Sequence, residues 1–197
     1  NIYSICSIGD GIAIGFEDGS IVIRQFDGNF SVLNSHHKNS VRSLLYLQKQ
    51  KFLVSGSDDS TIKVSDLNGN IFQTLTEHKD QTVHSLVSIN KNSFASASLR
   101  EIRIWSVKGQ INCIKTILSD TVNYNIYLNR IGNDFLISRQ KDEFKIWNEN
   151  THMCLKSYKE DSDIREMIQI KNNYLMIKYK RLIIIKNKNH SIISLKV

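Results

Sequence analysis

The chain has 197 residues, is 41% hydrophobic and 23% charged, and carries a formal net charge of +7. This balance excludes an intrinsically disordered chain, which would hold fewer Ile, Leu, Val and Phe, and the length suits one large domain or two small ones. The longest purely aliphatic run, Leu182 to Ile185, falls far short of the roughly 20 apolar residues of a spanning helix, so a helical membrane segment is excluded.

In chain order, the first residue is Asn1, inside the apolar alternating stretch "NIYSICSI", and the sequence reads as a piece of a longer chain. No signal or transit peptide pattern is visible in it. Asp10-Gly11 and Asp18-Gly19 then mark turns, and "GSIVIRQF" follows from Gly19. A second unit opens with "SVRSLLYL" at Ser40 and contains four apolar stretches, Val41–Leu47, Lys51–Ser55, Thr61–Ser65 and Asn70–Leu75. A third runs from "TVHSLVSI" at Thr82 through "REIRIWSV" at Arg100. A fourth runs from "TVNYNIYL" at Thr121 through "DEFKIWNE" at Asp142, and a fifth from "DIREMIQI" at Asp163 through "KRLIIIKN" at Lys180.

Two sets of apolar positions keep one period. Ile2, Val41, Val83, Val122 and Ile164 are spaced by 39, 42, 39 and 42, while Ile21, Ile62, Ile102, Phe144 and Leu182 are spaced by 41, 40, 42 and 38. The stretches are short, rich in Ile, Val, Leu and Phe, and separated by turn pairs such as Asp27-Gly28, Asn68-Gly69 and Lys108-Gly109, which predicts strands and not helices. A four-stranded antiparallel sheet of this size cannot bury both faces alone, so successive sheets are expected to stack around an axis.

A repeat of about 40 residues with this signature resembles the WD-repeat family. The stretch from His37 to Gly69 carries the resemblance: Ser55-Gly56-Ser57-Asp58-Asp59 matches the family's Ser-Gly-Ser-x-Asp, and Ile62-Lys63-Val64 matches its third strand, with Ser65 where Trp is usual. Trp105 and Trp147 keep that place in the third and fourth units, Ile185 replaces it in the fifth, and Arg24 stands near it in the first. The resemblance implies an all-β fold, a WD-type β-propeller with about five four-stranded antiparallel blades, approximately 1–39, 40–81, 82–120, 121–162 and 163–197. Members usually carry seven blades, so further blades outside this segment are expected, with a five-bladed ring as the alternative. The resemblance also implies a structural hydrogen-bond network of a His, a strand Ser or Thr, a turn Asp and the Trp. By position that network comprises His37, Ser55 and Asp59 in the second unit, Asp18 in the first, His78 and Trp105 in the third, and Trp147 in the fourth. Leu99, Lys141 and Tyr179 stand where the turn Asp would be in the last three units.

No constellation for catalysis, metal or cofactor emerges. His36-His37 and His78 lack a third ligand at useful spacing. "IGDGIAIG" has the wrong spacing for a dinucleotide fingerprint, and Ser57 beside Asp58 and Asp59 lacks a nucleophile elbow. The odd, scattered cysteines Cys6, Cys113 and Cys154 argue against a disulfide framework and for a reducing intracellular setting, the cytoplasm favoured and the nucleus left open.

By family analogy the loops before each first strand and the second-to-third-strand turns share one rim. There Glu17 and Asp58 are acidic, whereas Arg100, Arg139, Lys141, Lys178, Lys180 and Arg181 are basic, a charge distribution suited to steering a charged partner. Lys, Asn and Ile are abundant together, a mixture that AT-rich coding also produces, so part of the charge is compositional. The expected function is a non-catalytic scaffold for protein or peptide partners, without cofactor or small-molecule substrate. The alternative is a polyanion-binding propeller, for nucleic acid or acidic lipid, through the basic later units; an enzyme is the least supported class.

Overall fold

In the structure, a computed structural model, the described residues are 1–34, 36–119, 124–131, 135–148 and 150–159, with the backbone of strands 164–170, 173–178, 181–186 and 191–196. The described residues form strands and turns without a helix. Five four-stranded antiparallel sheets follow one another along the chain, each a meander of consecutive strands. The first sheet holds β1 (Ile2–Ser7), β2 (Gly11–Phe16), β3 (Ile21–Gln25) and β4 (Phe30–Leu33). The second holds β5 (Val41–Leu47), β6 (Phe52–Ser57), β7 (Ile62–Ser65) and β8 (Ile71–Leu75). The third holds β9 (Ser85–Asn90), β10 (Ser93–Ala97), β11 (Glu101–Ser106) and β12 (Asn112–Leu118). The fourth is β13 (Tyr127–Ile131), β14 (Phe135–Gln140), β15 (Glu143–Asn148) and β16 (Cys154–Lys159), and the fifth β17 (Ile164–Ile170), β18 (Asn173–Lys178), β19 (Arg181–Lys186) and β20 (Ser191–Lys196).

Small differences from the sequence boundaries have local causes. Lys51 takes φ 58° and belongs to the turn, so β6 starts at Phe52. Thr61 is held by Asp59, whose Oδ1 accepts from its main-chain N at 3.0 Å and its Oγ1 at 2.6 Å, so β7 starts at Ile62. Val83 matches Val41 in the repeat but precedes β9; its N donates to Ser57 O of the preceding sheet at 3.0 Å. Val122, the next residue of that set, lies outside the described residues.

The chain divides into two compact units, Asn1–Ile126 and Tyr127–Val197. In the first, alternation along each strand sends successive side chains to opposite sheet faces. Leu53 and Val54 are neighbours in β6 and both fully buried, yet they belong to different cores. Leu53 packs with Ala13, Ile21, Ile23 and Leu33 of the first sheet, and Val54 with Val83, Phe94 and Trp105 of the third. The second sheet is thus apolar on both faces, which a lone sheet in water could not sustain. In the second unit, Phe144 and Ile146 of β15 are fully buried and Phe144 stacks on Tyr158, with ring centroids 4.7 Å apart.

Close approach of neighbouring sheets depends on two glycines at equivalent places in β2 and β6. A Cβ on Gly15 would lie 2.7 Å from Val41 Cγ1, and one on Gly56 would lie 2.6 Å from Val83 Cγ1. Each valine opens the following repeat and occupies the space a side chain would need. Gly56→Ala is therefore expected to lower stability by roughly 1–3 kcal/mol through overpacking. In urea unfolding, the Gly56→Ala, Val83→Ala double variant should lose less than the sum of the single losses; strict additivity would contradict the contact.

Candidate functional site

The segment of residues 36–40, before β5, lies against the β2–β3 hairpin on one side and the β6–β7 hairpin on the other. His37 N donates to Gly19 O at 2.9 Å, Ser57 Oγ to Asn39 O at 3.0 Å, and Asp58 N to Ser40 O at 3.0 Å. Gly19 adopts φ +84°, and a Cβ there would collide with His37 O. One side of this arrangement recurs at the third sheet, where the β10–β11 hairpin accepts from Ser119 N at Arg100 O, 2.7 Å, and from Ile126 N at Ser98 O, 3.3 Å.

Inside this rim His37 is buried and uses both ring nitrogens. Nδ1 is 3.0 Å from Asp59 Oδ2 and Nε2 is 2.8 Å from Ser55 Oγ. A carboxylate accepts only, so Nδ1 donates to Asp59, while Nε2 and the Ser55 hydroxyl share the second hydrogen bond. Asp59 also accepts from Lys38 N at 2.9 Å and from Thr61. Burial opposes its ionisation, but the hydrogen bonds from His37 and Thr61 outweigh burial and hold the carboxyl well below the usual range. The Trp position of this sheet is Ser65, fully buried, whose Oγ finds no hydrogen-bond partner among the described residues.

The third sheet assembles a related set with a different acid. Trp105 Nε1 donates to Ser96 Oγ at 2.7 Å, and Ser96 Oγ lies 2.6 Å from His78 Nε2. His78 Nδ1 stands 3.1 Å from Glu101 Oε1, close enough for an ion pair though off the line of a good hydrogen bond. Leu99 holds the place of the turn Asp in a direct residue match, but the acid comes from Glu101. The reason is a shorter hairpin: Gly56 pairs with Ile62 across five intervening residues, and Ala97 pairs with Ile102 across four. Glu101 occupies the place of Thr61, and its longer side chain spans the gap. Arg103 Nε sits 2.7 Å from Glu101 Oε1. Burial opposes the ionisation of Glu101, and His78 with Arg103 outweighs it, so its pKa is lowered. In the fourth sheet Trp147 Nε1 donates to Ser138 Oγ at 2.8 Å.

The remaining candidate residues divide by what they touch. Asp18 Oδ1 accepts from Ser20 N at 3.0 Å and Ser20 Oγ at 2.6 Å, closing the first hairpin, and Glu17 Oε2 accepts from Asn1 Nδ2 at 2.6 Å. Asp58 forms an ion pair with Arg42, whose Nε and terminal nitrogen approach at 2.8 and 2.6 Å. The Arg42 guanidinium lies over the Tyr3 ring at 4.1 Å, so the Asp58 charge is compensated locally and the first sheet is tied to the second. Arg100 is exposed at the β10–β11 tip, and Lys141 is exposed at the β14–β15 turn with φ 47°. Arg139 places its guanidinium 4.4 Å from the Tyr127 ring centroid. Lys178 ends β18 and pairs in register with Arg181 of β19, while Lys180 and Tyr179 lie outside the described residues. Neither Glu101 nor Arg42 stands out in a reading of residue types alone.

The family model described as the anaphase-promoting complex subunit 4 WD40 domain matches residues 3–115, more than half of the chain. The chain belongs to the WD40-repeat family. Among solved structures, the WD40 chain is similar to the crystal structure of the WD40 beta propeller domain of Doa1, with a TM-score of 0.77 and 21% identity, over 100% of this chain and 68% of that one. At that identity the likeness shows the fold alone, an all-β WD40 propeller. No curated protein matches the WD40 chain in sequence. Among the described residues no three His, Cys, Asp or Glu side chains gather as a metal would require, and no helix is long and apolar enough to cross a membrane.

Two measurements probe the WD40 rim. Ser96→Ala strands both the Trp105 N–H and His78 Nε2, so it should cost at least about 1–3 kcal/mol in chemical unfolding. Ser55→Ala strands only His37 and should cost less; equal losses would argue against the Trp105 link. The second probe is acid stability. Buried His36, whose Nε2 has no partner, has its pKa pushed down to about 4, chiefly by burial and then by His37. The unfolded chain protonates near 6.5, so stability from this group is full above that pH and is lost as pH falls toward 4. His84, lowered first by burial, acts in the same direction. Asp59 contributes above about 4 and loses its contribution at lower pH. His36→Leu should shrink the fall in unfolding midpoint between pH 6.5 and 4, and Asp59→Asn should flatten the fall below that window.

Proposed function

We propose that this WD40 chain is a non-catalytic interaction scaffold that presents its loop rim to protein or peptide partners within a multiprotein complex. The observation that carries the reading is the clamping of segment 36–40 between two hairpins, with His37, Ser55, Asp59 and Thr61 fixing its inside. A loop held this way is ordered before a partner arrives, and little conformational entropy remains to be lost on binding. A network of buried, mutually satisfied groups is a poor source of reactivity, since its His and Asp are committed to structure.

Two further features support the reading. The matched family model bears the name of a subunit of a multiprotein assembly. Exposed cations stand at hairpin tips, Arg100 in the first unit and Lys141 in the second, where they can select partners of opposite charge. Affinity capture with the wild-type chain and with Arg100→Glu and Lys141→Glu is the direct test. Rim binding requires that the variants lose partners retained by the wild type at unchanged melting temperature; identical partner sets would count against it.

A further inference from the structure

The ends of the strands opposite the rim carry a second feature. In the first unit, the β5–β6 and β9–β10 hairpins approach each other and border an open cleft of about 560 Å³. Its lining includes Lys49 and Lys91, the polar side chains Gln48, Gln50, Ser88 and Asn90, and one aromatic ring, Tyr46, with no carboxylate. The sequence around it is one-sided: residues 41–57 and 81–100 contain no Asp or Glu, while Lys49, Lys51 and Lys91 lie in or beside the two turns.

The cleft is held in shape. Gln50 Nε2 donates to Lys91 O at 2.7 Å, joining the two hairpins, and Lys49 Nζ reaches Asn92 Oδ1 at 3.4 Å. Asn92 N donates to Asn90 Oδ1 at 2.9 Å, which tightens the second turn. Both lysines are exposed, and neither takes part in an ion pair given for the described residues. Two ammonium groups flank a concave surface whose other polar side chains are the amides of Gln48, Gln50 and Asn90 and the hydroxyls of Ser88 and Tyr46, able to donate to carbonyl oxygens.

We infer that this cleft binds a short acidic peptide segment of a partner protein, its carboxylates meeting Lys49 and Lys91 and its main chain meeting the amide and hydroxyl groups between them. The volume falls within the range of roughly 300–1,000 Å³ typical of ligand sites, room for a few peptide residues. Nucleic acid fits less well, because Tyr46 is the one ring available and single-strand binding relies on successive stacking platforms. The site lies at the other end of the strands from the rim and stands independently of the rim's function.

The test is titration of rhodamine-labelled hexaglutamate into the intact chain by fluorescence anisotropy, with hexaglutamine as neutral control and a thymidine hexanucleotide as competitor. The wild type should bind hexaglutamate, and not hexaglutamine, with affinity that declines with salt. Lys49→Glu, Lys91→Glu together should weaken it by at least about tenfold, whereas the rim variant Arg100→Glu should bind as wild type. Thermal melts identify any loss due to unfolding, and the single Lys91→Gln change then gives a milder variant. Absence of wild-type binding, unchanged binding by the double variant, or equal competition by the oligonucleotide would each overturn the proposal. Loss in Arg100→Glu alone would overturn it too and would transfer the peptide to the rim, which separates the fate of the two sites.

Discussion

Residues 1–126 are organised by the burial of both faces of a single sheet. Leu53 and Val54 are adjacent in sequence, fully buried, and assigned to cores on opposite sides of β6. Apolar surface on two faces can leave water only if a neighbour covers each. The repetition of the unit is therefore a condition of its stability. The close approach that burial demands then fixes smaller choices, among them glycine at 15 and 56 and valine at 41 and 83, where no spare volume remains.

The polar ends of the same strands carry the rim. Once the sheets are stacked, the β2–β3 and β6–β7 hairpins meet the segment that opens the next repeat, and backbone groups there must find partners. His37 N on Gly19 O and Asp58 N on Ser40 O meet that need while making the loops rigid. Two buried imidazoles extend this inward, His37 between Asp59 and Ser55 and His78 between Glu101 and Ser96, and brace the loops from within. Exposed cations stand outside these braces, and a WD40 chain built this way has its chemistry at its surface.

Much of the architecture is legible in the residues, for definite reasons. Ile21, Ile62, Ile102 and Phe144 recur at the same place because each is an inward position of a third strand, and such positions tolerate only bulky apolar side chains. Resemblance to the WD repeat brings residue types at 37, 55 and 59 to notice, but only the fold supplies their distances. Glu101 escapes a letter-by-letter match because a hairpin one residue shorter moves the acid from turn to strand. The Arg42–Asp58 pair depends on strand register, with Val41 opposite Ser57, and no local pattern encodes it. The Lys49 and Lys91 cleft is hidden for another reason: its residues lie 42 positions apart, and what marks them in sequence is a missing class of residue, the acids.

The glycine–valine contacts have an outcome for how such a chain drifts over generations. A methyl group at residue 15 or 56 acts like a shim driven between two plates, forcing apart the two sheets that meet there. Exposed positions such as Phe72 of β8 and Leu118 of β12, already 56% and 73% exposed, can change letter with little effect. A lineage can thus alter such exposed letters while the fit between the first three sheets, set by a few atoms at Gly15, Val41, Gly56 and Val83, stays the same.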